Sequence, residues 1–272
     1  TLNNEINASI TTFDNSGSVT NDFTNKGEIT TLHNHSTGTM NNLTNATNAT
    51  ITTLANDGQL TGGITNETNA QIDDIINTAT LGTITNNGTI TNNISNRTNA
   101  TITTIANNQG ATIGGVINEA NATITTFENS GLVQNDFTNQ GTITTLNNNE
   151  TGRLHNLTNA GNATIDTLTN KGTLDGGITN QANGNINTID NQANLAKIDN
   201  SGTIGSLGNK NNAKIDRIDN QAGATITDVS NEAGAEITTF ENSGSVTNNF
   251  TNNGEIGSLT NLAQGTLNNL TN

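Results

Sequence analysis

The chain contains no cysteine, proline, tryptophan or tyrosine, and only one methionine and six phenylalanines. Without cysteine there is no disulfide framework and no thiolate metal site. Without proline no backbone donor is deleted from a hydrogen-bonded ladder, which suits an unbroken sheet. Basic residues are scarce as well: 8 Lys and Arg stand against 23 Asp and Glu, a formal net charge of −15. Nucleic acids and anionic membrane surfaces are bound through basic patches, so neither is expected as a partner, and the acidity is expected to keep an extended surface soluble. No apolar run approaches the roughly 18 residues of a membrane-spanning helix, so the chain is not expected to be membrane-embedded, and no secretory leader is recognisable.

Low hydrophobicity and net charge together usually mean disorder. Here 29% of residues are apolar and only 11% charged, and the apolar ones recur at fixed intervals. From Ile10 to the end there are 26 copies of a short unit: apolar, two small or polar residues, apolar, any residue, Asn, then a turn rich in Gly or Asn. Ile10-Thr-Thr-Phe13-Asp-Asn15, Ile51-Thr-Thr-Leu54-Ala-Asn56 and Ile165-Asp-Thr-Leu168-Thr-Asn170 are typical. Such a short period decides architecture before local propensity does. A longer period overlies it. Ile10-Thr-Thr-Phe-Asp-Asn-Ser-Gly returns at Ile124 and Ile237 with Glu for Asp, at offsets of 124 − 10 = 114 and 237 − 124 = 113 residues. The long repeats run 10–123, 124–236 and 237–272, the last truncated, and residues 1–272 are expected to form one continuous array in which residues 1–9 fit the unit poorly. The array starts mid-pattern and shows no capping element, as expected for a piece of something longer.

Apolar residues at positions 0 and 3 that then stop do not make a helical stripe, and Gly, Asn and Thr in every unit disfavour helix. The expected fold is all-β: a single-stranded parallel β-solenoid, or β-helix, of stacked 9- to 12-residue units. Mean spacing is (267 − 10)/25, about 10.3 residues. At about 3.3 Å per residue one unit spans about 34 Å, tight for two facing sheets about 10 Å apart. Two units per coil are expected, with three as the alternative, because six aliphatics would fill a three-unit section poorly. A right-handed winding is expected by analogy with parallel crossovers.

The Asn that closes each unit is expected to be structural, tolerating left-handed backbone, bonding its own turn and stacking along the axis. These are Asn15, Asn25, Asn34, Asn45, Asn56 and Asn66; Asn129, Asn139, Asn148, Asn159, Asn170 and Asn180; and Asn242, Asn252 and Asn261. The expected core includes Ile10, Phe13, Val19 and Phe23; Ile124, Phe127, Val133 and Phe137; and Ile237, Phe240, Val246 and Phe250. Thr-Thr pairs such as Thr52-Thr53 suit solvent-facing strand positions; an ice-binding array is the sharper alternative, but Gly-Gly, Asp-Asp and Asn-Asn occupy the same positions elsewhere. His33 and His35 straddle Asn34 and form an alternating pair of a kind that contacts metals, yet the sequence offers no evident third ligand, so they and His155 are expected to be exposed turn residues. Asp73, Asp74, Asp190, Asp199, Asp216, Asp219 and Asp228 lack the glycine-and-aspartate nonapeptide of calcium-binding rolls and are expected to form a solvated acidic face. Asn-x-Ser/Thr triplets at Asn7, Asn45, Asn48 and Asn99 are expected by chance in this composition. No nucleophile–base pair or phosphate loop is present, so no enzyme activity, catalytic residue, metal or cofactor is expected.

Gly27-Glu-Ile-Thr-Thr-Leu-His-Asn34, Gly141-Thr-Ile-Thr-Thr-Leu-Asn-Asn148 and Gly202-Thr-Ile-Gly-Ser-Leu-Gly-Asn209 resemble the Asn/Thr-rich repeats in passenger domains of bacterial autotransporters and large haemagglutinin-like surface adhesins. The resemblance covers essentially the whole chain, although the family's C-terminal barrel has no counterpart in it. It implies a right-handed β-helix displayed as a rod at the bacterial cell surface. The expected function is therefore a non-enzymatic extracellular structural or adhesive rod, acting as stalk or contact surface toward a receptor on a host or neighbouring cell. The alternatives are a filament subunit that stacks end to end on itself through open sheet edges and, less strongly, an ice-binding solenoid.

Overall fold

The computed structural model describes residues 2–272, so the first residue of the expected array lies outside the described residues. Among the described residues the regular elements are all strands, and they pair in parallel. The fold is a parallel β-solenoid of about 13 turns. The chain divides into two compact units, Thr1–Gln134 and Asn135–Asn272, and the division falls within the strand Leu132–Asn139.

In the first unit each short repeat pairs with the repeat two further on, not with the next one. Ser9–Asn15, Glu28–Asn34, Thr50–Asn56, Gln71–Asn77, Thr89–Asn96 and Thr112–Asn118 pair in that order. The strands between them, Phe23–Asn25, Thr39–Asn45, Gln59–Asn66, Thr80–Asn86, Thr101–Asn107 and Thr123–Asn129, pair in the same way. The second unit repeats the scheme, with Arg153–Asn159, Thr173–Asn180, Asn194–Asn200, Lys214–Asn220, Glu236–Asn242 and Glu255–Asn261 in one sheet. Thr142–Asn148, Thr164–Asn170, Asn185–Asn191, Thr203–Asn209 and Thr225–Asn231 lie in the other. Like residues pair with like: Ile29 with Ile51, Leu32 with Leu54, Asn34 with Asn56.

The spacing of the apolar residues follows from a bend in the strand. Strict alternation would put residues 51, 53 and 55 on one face. Instead Ile51, Leu54 and Asn56 are buried while Thr52 is exposed and Thr53 half-buried. The ladder passes over residue 52, pairing Ile51 with Ile72 and then Thr53 with Asp74. Both apolar residues of a unit thus enter the core, each worth about 1.5–3 kcal/mol on full burial. Gln59–Asn66 carries one residue more than most strands, and the surplus is absorbed at Gly63, whose φ of 103° and approach to the Thr83 carbonyl exclude a side chain.

Two expectations are corrected. Residues 2–9, expected to fit the unit poorly, are not outside the pattern: Leu2–Asn4 is a strand in register with Phe23–Asn25. It matches the second half of a unit, apolar-x-Asn. Among the expected core residues Ile10, Phe13 and Val19 are only half-buried, whereas the other nine are buried. Among the described residues Ser9–Asn15 pairs only with Glu28–Asn34, and Ser18–Val19 only with Thr39–Asn45, so these inward side chains are covered by a neighbouring rung on one side alone.

Candidate functional site

Inside each sheet's end runs a column of buried asparagines. In the first unit one column holds Asn15, Asn34, Asn56, Asn77, Asn96 and Asn118, and each amide Nδ2 donates to the next Oδ1 at 2.8–2.9 Å. The second column runs through Asn4, Asn25, Asn45, Asn66, Asn86, Asn107 and Asn129 in the same fashion. In the second unit Asn139, Asn159, Asn180, Asn200, Asn220, Asn242 and Asn261 are so linked. Asn148, Asn170, Asn191, Asn209, Asn231 and Asn252 form the companion column. A buried amide left unbonded would be costly, and none of these is left so. Asn56 also donates to the carbonyls of Gly58 and Thr80, at 3.1 and 3.0 Å, while its Oδ1 accepts from Asn34. Asn261 receives its bond but is exposed.

The ladder asparagines do not supply the left-handed backbone. That conformation falls to a different set: Asn7, Asn48, Asn69, Asn99, Asn121, Asn162, Asn183 and Asn212 at the turn tips, and Asn269 in the bend between Thr266–Leu267 and Leu270–Thr271, at φ of 47–66°. The turns come in two lengths. A short turn such as Asn56-Asp57-Gly58 sends both its amides, from Asp57 and Gly58, to the Asn34 carbonyl. A long turn such as Asn45-Ala46-Thr47-Asn48-Ala49 closes with Ala49 N–H donating to the Ala46 carbonyl, with Asn48 at positive φ, whereas the equally long turn closed by Gly38 N–H on the His35 carbonyl uses no positive φ. Of the glycosylation triplets, Asn7, Asn48 and Asn99 are therefore exposed at turn tips, while Asn45 is buried in the ladder.

The outer faces carry rung-to-rung polar pairs. Thr12, Thr31 and Thr53 align, but the next residue in register is Asp74; likewise Thr188 is followed by Ser206 and Asp228. Such interrupted columns are not a flat threonine lattice. The acidic residues are spread along the coils and engaged locally: Asp74 accepts from Asn92, Asp228 from Asn248, and Asp199 and Asp219 face Lys197. Arg217 bridges Asp219 and Glu241. Arg153 and His155 both face Asp175, whose carboxyl lies below its ordinary value; burial opposes that shift, and the bonds from Arg153 and His155 outweigh it.

His33 and His35 do more than stand in a turn. His33 belongs to the strand Glu28–Asn34, directly in register with Asp14, and both histidines are half-buried. Residues two apart on extended backbone face the same side, so the rings flank the inward Asn34 and meet outside it, centroids 3.7 Å apart. Asp14 Oδ1 lies 3.0 Å from His35 Nε2 and 4.0 Å from His33 Nδ1. On the far side His33 Nε2–H donates to Asp57 Oδ2 at 2.6 Å, and Thr78 Oγ1 donates to Asp57 Oδ1 at 2.6 Å. The Asp57 carboxyl is held below its ordinary value, first by the Thr78 hydroxyl and then by His33. The third group that the sequence hides, Asp14, thus comes from the preceding rung, and a fourth, Asp57, from the following one.

Comparison of the chain with family models, curated proteins and solved structures returns no match. Among the described residues no helix is long and apolar enough to cross a membrane.

Proposed function

We propose that the chain is a non-enzymatic extracellular rod of a bacterial surface protein, serving as a stalk or as a contact surface for a receptor on another cell. The single observation that supports this reading is the interchangeability of the rungs. Each adds the same inward set of aliphatics and one asparagine to columns already running, while its outward residues vary freely between Thr, Asn, Gly, Asp and Lys. Such a scheme lets length change by whole rungs without altering the interior, and a spacer requires that property. The repeats form one array, wound right-handed with two units per coil. Partner strands two apart support the count, and the handedness of parallel crossovers supports the winding.

The test is deletion of residues 124–236, one long repeat, followed by electron microscopy of single particles. The expected outcome is a shorter rod of unchanged width that still binds through any site outside the deletion. A compact particle, or a length that does not respond to the deletion, would overturn the reading.

A further inference from the structure

We propose that Asp14, His33 and His35 form a binding site for one late first-row divalent cation, with zinc the best fit. The proposal is independent of the rod reading. It rests on one ligand atom from each of Asp14, His33 and His35, the three lying within 4.8 Å of one another, with Asp14 Oδ1 approached by His35 Nε2 and His33 Nδ1. Tetrahedral zinc at about 2.0–2.1 Å from its ligands sets them about 3.3 Å apart. The observed separations from Asp14 Oδ1, 3.0 and 4.0 Å, bracket that value.

The surrounding hydrogen bonds prepare the site. A carboxylate can only accept, so the 2.6 Å contact with Asp57 Oδ2 places the proton of His33 on Nε2. Its Nδ1 is then a bare lone pair on the side of Asp14. A carboxylate behind a ligating imidazole is the usual support that fixes the tautomer and strengthens the ligand, and Asp57 is itself held by Thr78. The contact between His35 Nε2 and Asp14 Oδ1 is one that a metal ion replaces: the imidazole proton sits on Nδ1 instead, and the cation lies to one side of the nitrogen–oxygen line, within bonding distance of both. Two imidazoles and one carboxylate suit zinc, copper(II) or nickel(II), whereas calcium and magnesium take oxygen cages. With Asp14 as ligand and Asp57 behind His33, a divalent charge is locally balanced. A fourth position stays open to water, as in three-ligand zinc sites. The ion would tie the rung of Asp14 to that of His33 and, through Asp57, to the one beyond.

The experiment uses the full chain stripped of metal, titrated with cobalt(II) and zinc(II). The expected results are one equivalent bound, a visible cobalt absorption of tetrahedral type that zinc displaces, and a rise in Tm with zinc. Asp14→Asn, His33→Asn and His35→Asn each weaken zinc binding at least tenfold in competition with a chromophoric chelator. Asp57→Asn, which reaches the site only from behind His33, weakens it by about 10- to 100-fold. His155→Asn leaves it unchanged. These residues are on the outer face, and circular dichroism checks each variant. Absence of the cobalt band in the parent chain would overturn the proposal, leaving only a hydrogen-bonded His–Asp cluster. Zinc affinity that survives His33→Asn and His35→Asn together, or that is lost with His155→Asn, would overturn it equally.

Discussion

The strands Ser9–Asn15 and Thr123–Asn129 are nearly the same peptide, Ile-Thr-Thr-Phe-Asp-Asn-Ser-Gly and Ile-Thr-Thr-Phe-Glu-Asn-Ser-Gly, in two environments. Ile10 and Phe13 are half-buried; Ile124 and Phe127 are fully buried. A methyl added to Gly17 would meet nothing within 4 Å, whereas one added to Gly131 would lie 2.4 and 2.5 Å from the carbonyls of Ala111 and Asn108. The two strands also sit in different sheets. A long repeat of eleven units has this effect when partners are two strands apart, so either sheet accepts the same unit. Burial in this protein is a property of the stack. A unit carries the same residues wherever it stands, and the number of rungs packed on it decides what those residues are worth.

The largest break in that comparison is expected from the phenylalanines. Phe127→Ala should destabilise by about 3–5 kcal/mol, and Phe13→Ala by about half of that or less, measured by urea unfolding. Equal losses would mean that rung neighbours do not govern burial. Next come the glycines. Gly131→Ala forces a methyl against two backbone oxygens and should cost about 1–3 kcal/mol, while Gly17→Ala should stay within about 0.5 kcal/mol; a tolerated Gly131→Ala would mean the turn can open freely. The ladder gives a similar contrast. Asn56→Ala removes the ladder acceptor of Asn34 and the donor to the Asn77 Oδ1 and the Thr80 carbonyl, at a cost of about 1–3 kcal/mol. Asn15 has a ladder partner on one side only, so Asn15→Ala should cost less. The smallest effect concerns Asp57, in the metal-free protein. Its folded-state pKa is depressed below 3.8, chiefly by Thr78, so its contribution is complete above the unfolded value and is lost as pH falls through the lower folded one. The carboxyl is over a third exposed, which limits the effect to less than about 0.5 kcal/mol. Thr78→Val should move the carboxyl titration of Asp57 upward by NMR; an unmoved titration would remove the hydroxyl as its cause.

The period of the apolar residues and the asparagine that follows them made the solenoid and its buried amide columns legible from sequence, because both depend only on spacing within a unit. The rest depends on which unit lies over which. His35 and Asp14 are 21 residues apart and His33 and Asp57 are 24 apart, so their meeting is invisible until strands are set in register. The register does hold a signal: Asp14 and His33 both immediately precede a ladder asparagine. Leu2–Asn4 was hidden because half a unit has no period of its own. The assignment of left-handed backbone to the ladder asparagines failed because an inward amide must stay on extended strand to reach the next rung; the tips at Asn48 and Asn99 are free to adopt it.

In every linked pair described above, the earlier asparagine gives the hydrogen and the later one takes it. One side chain cannot turn over by itself, since reversal would bring two NH2 groups nose to nose on one side and two oxygens together on the other, with a third NH2 contact to a backbone carbonyl lost. The columns therefore behave like a row of compass needles locked to one heading. The direction of the chain is inscribed twice, once in its backbone and again in the aligned dipoles of its side chains.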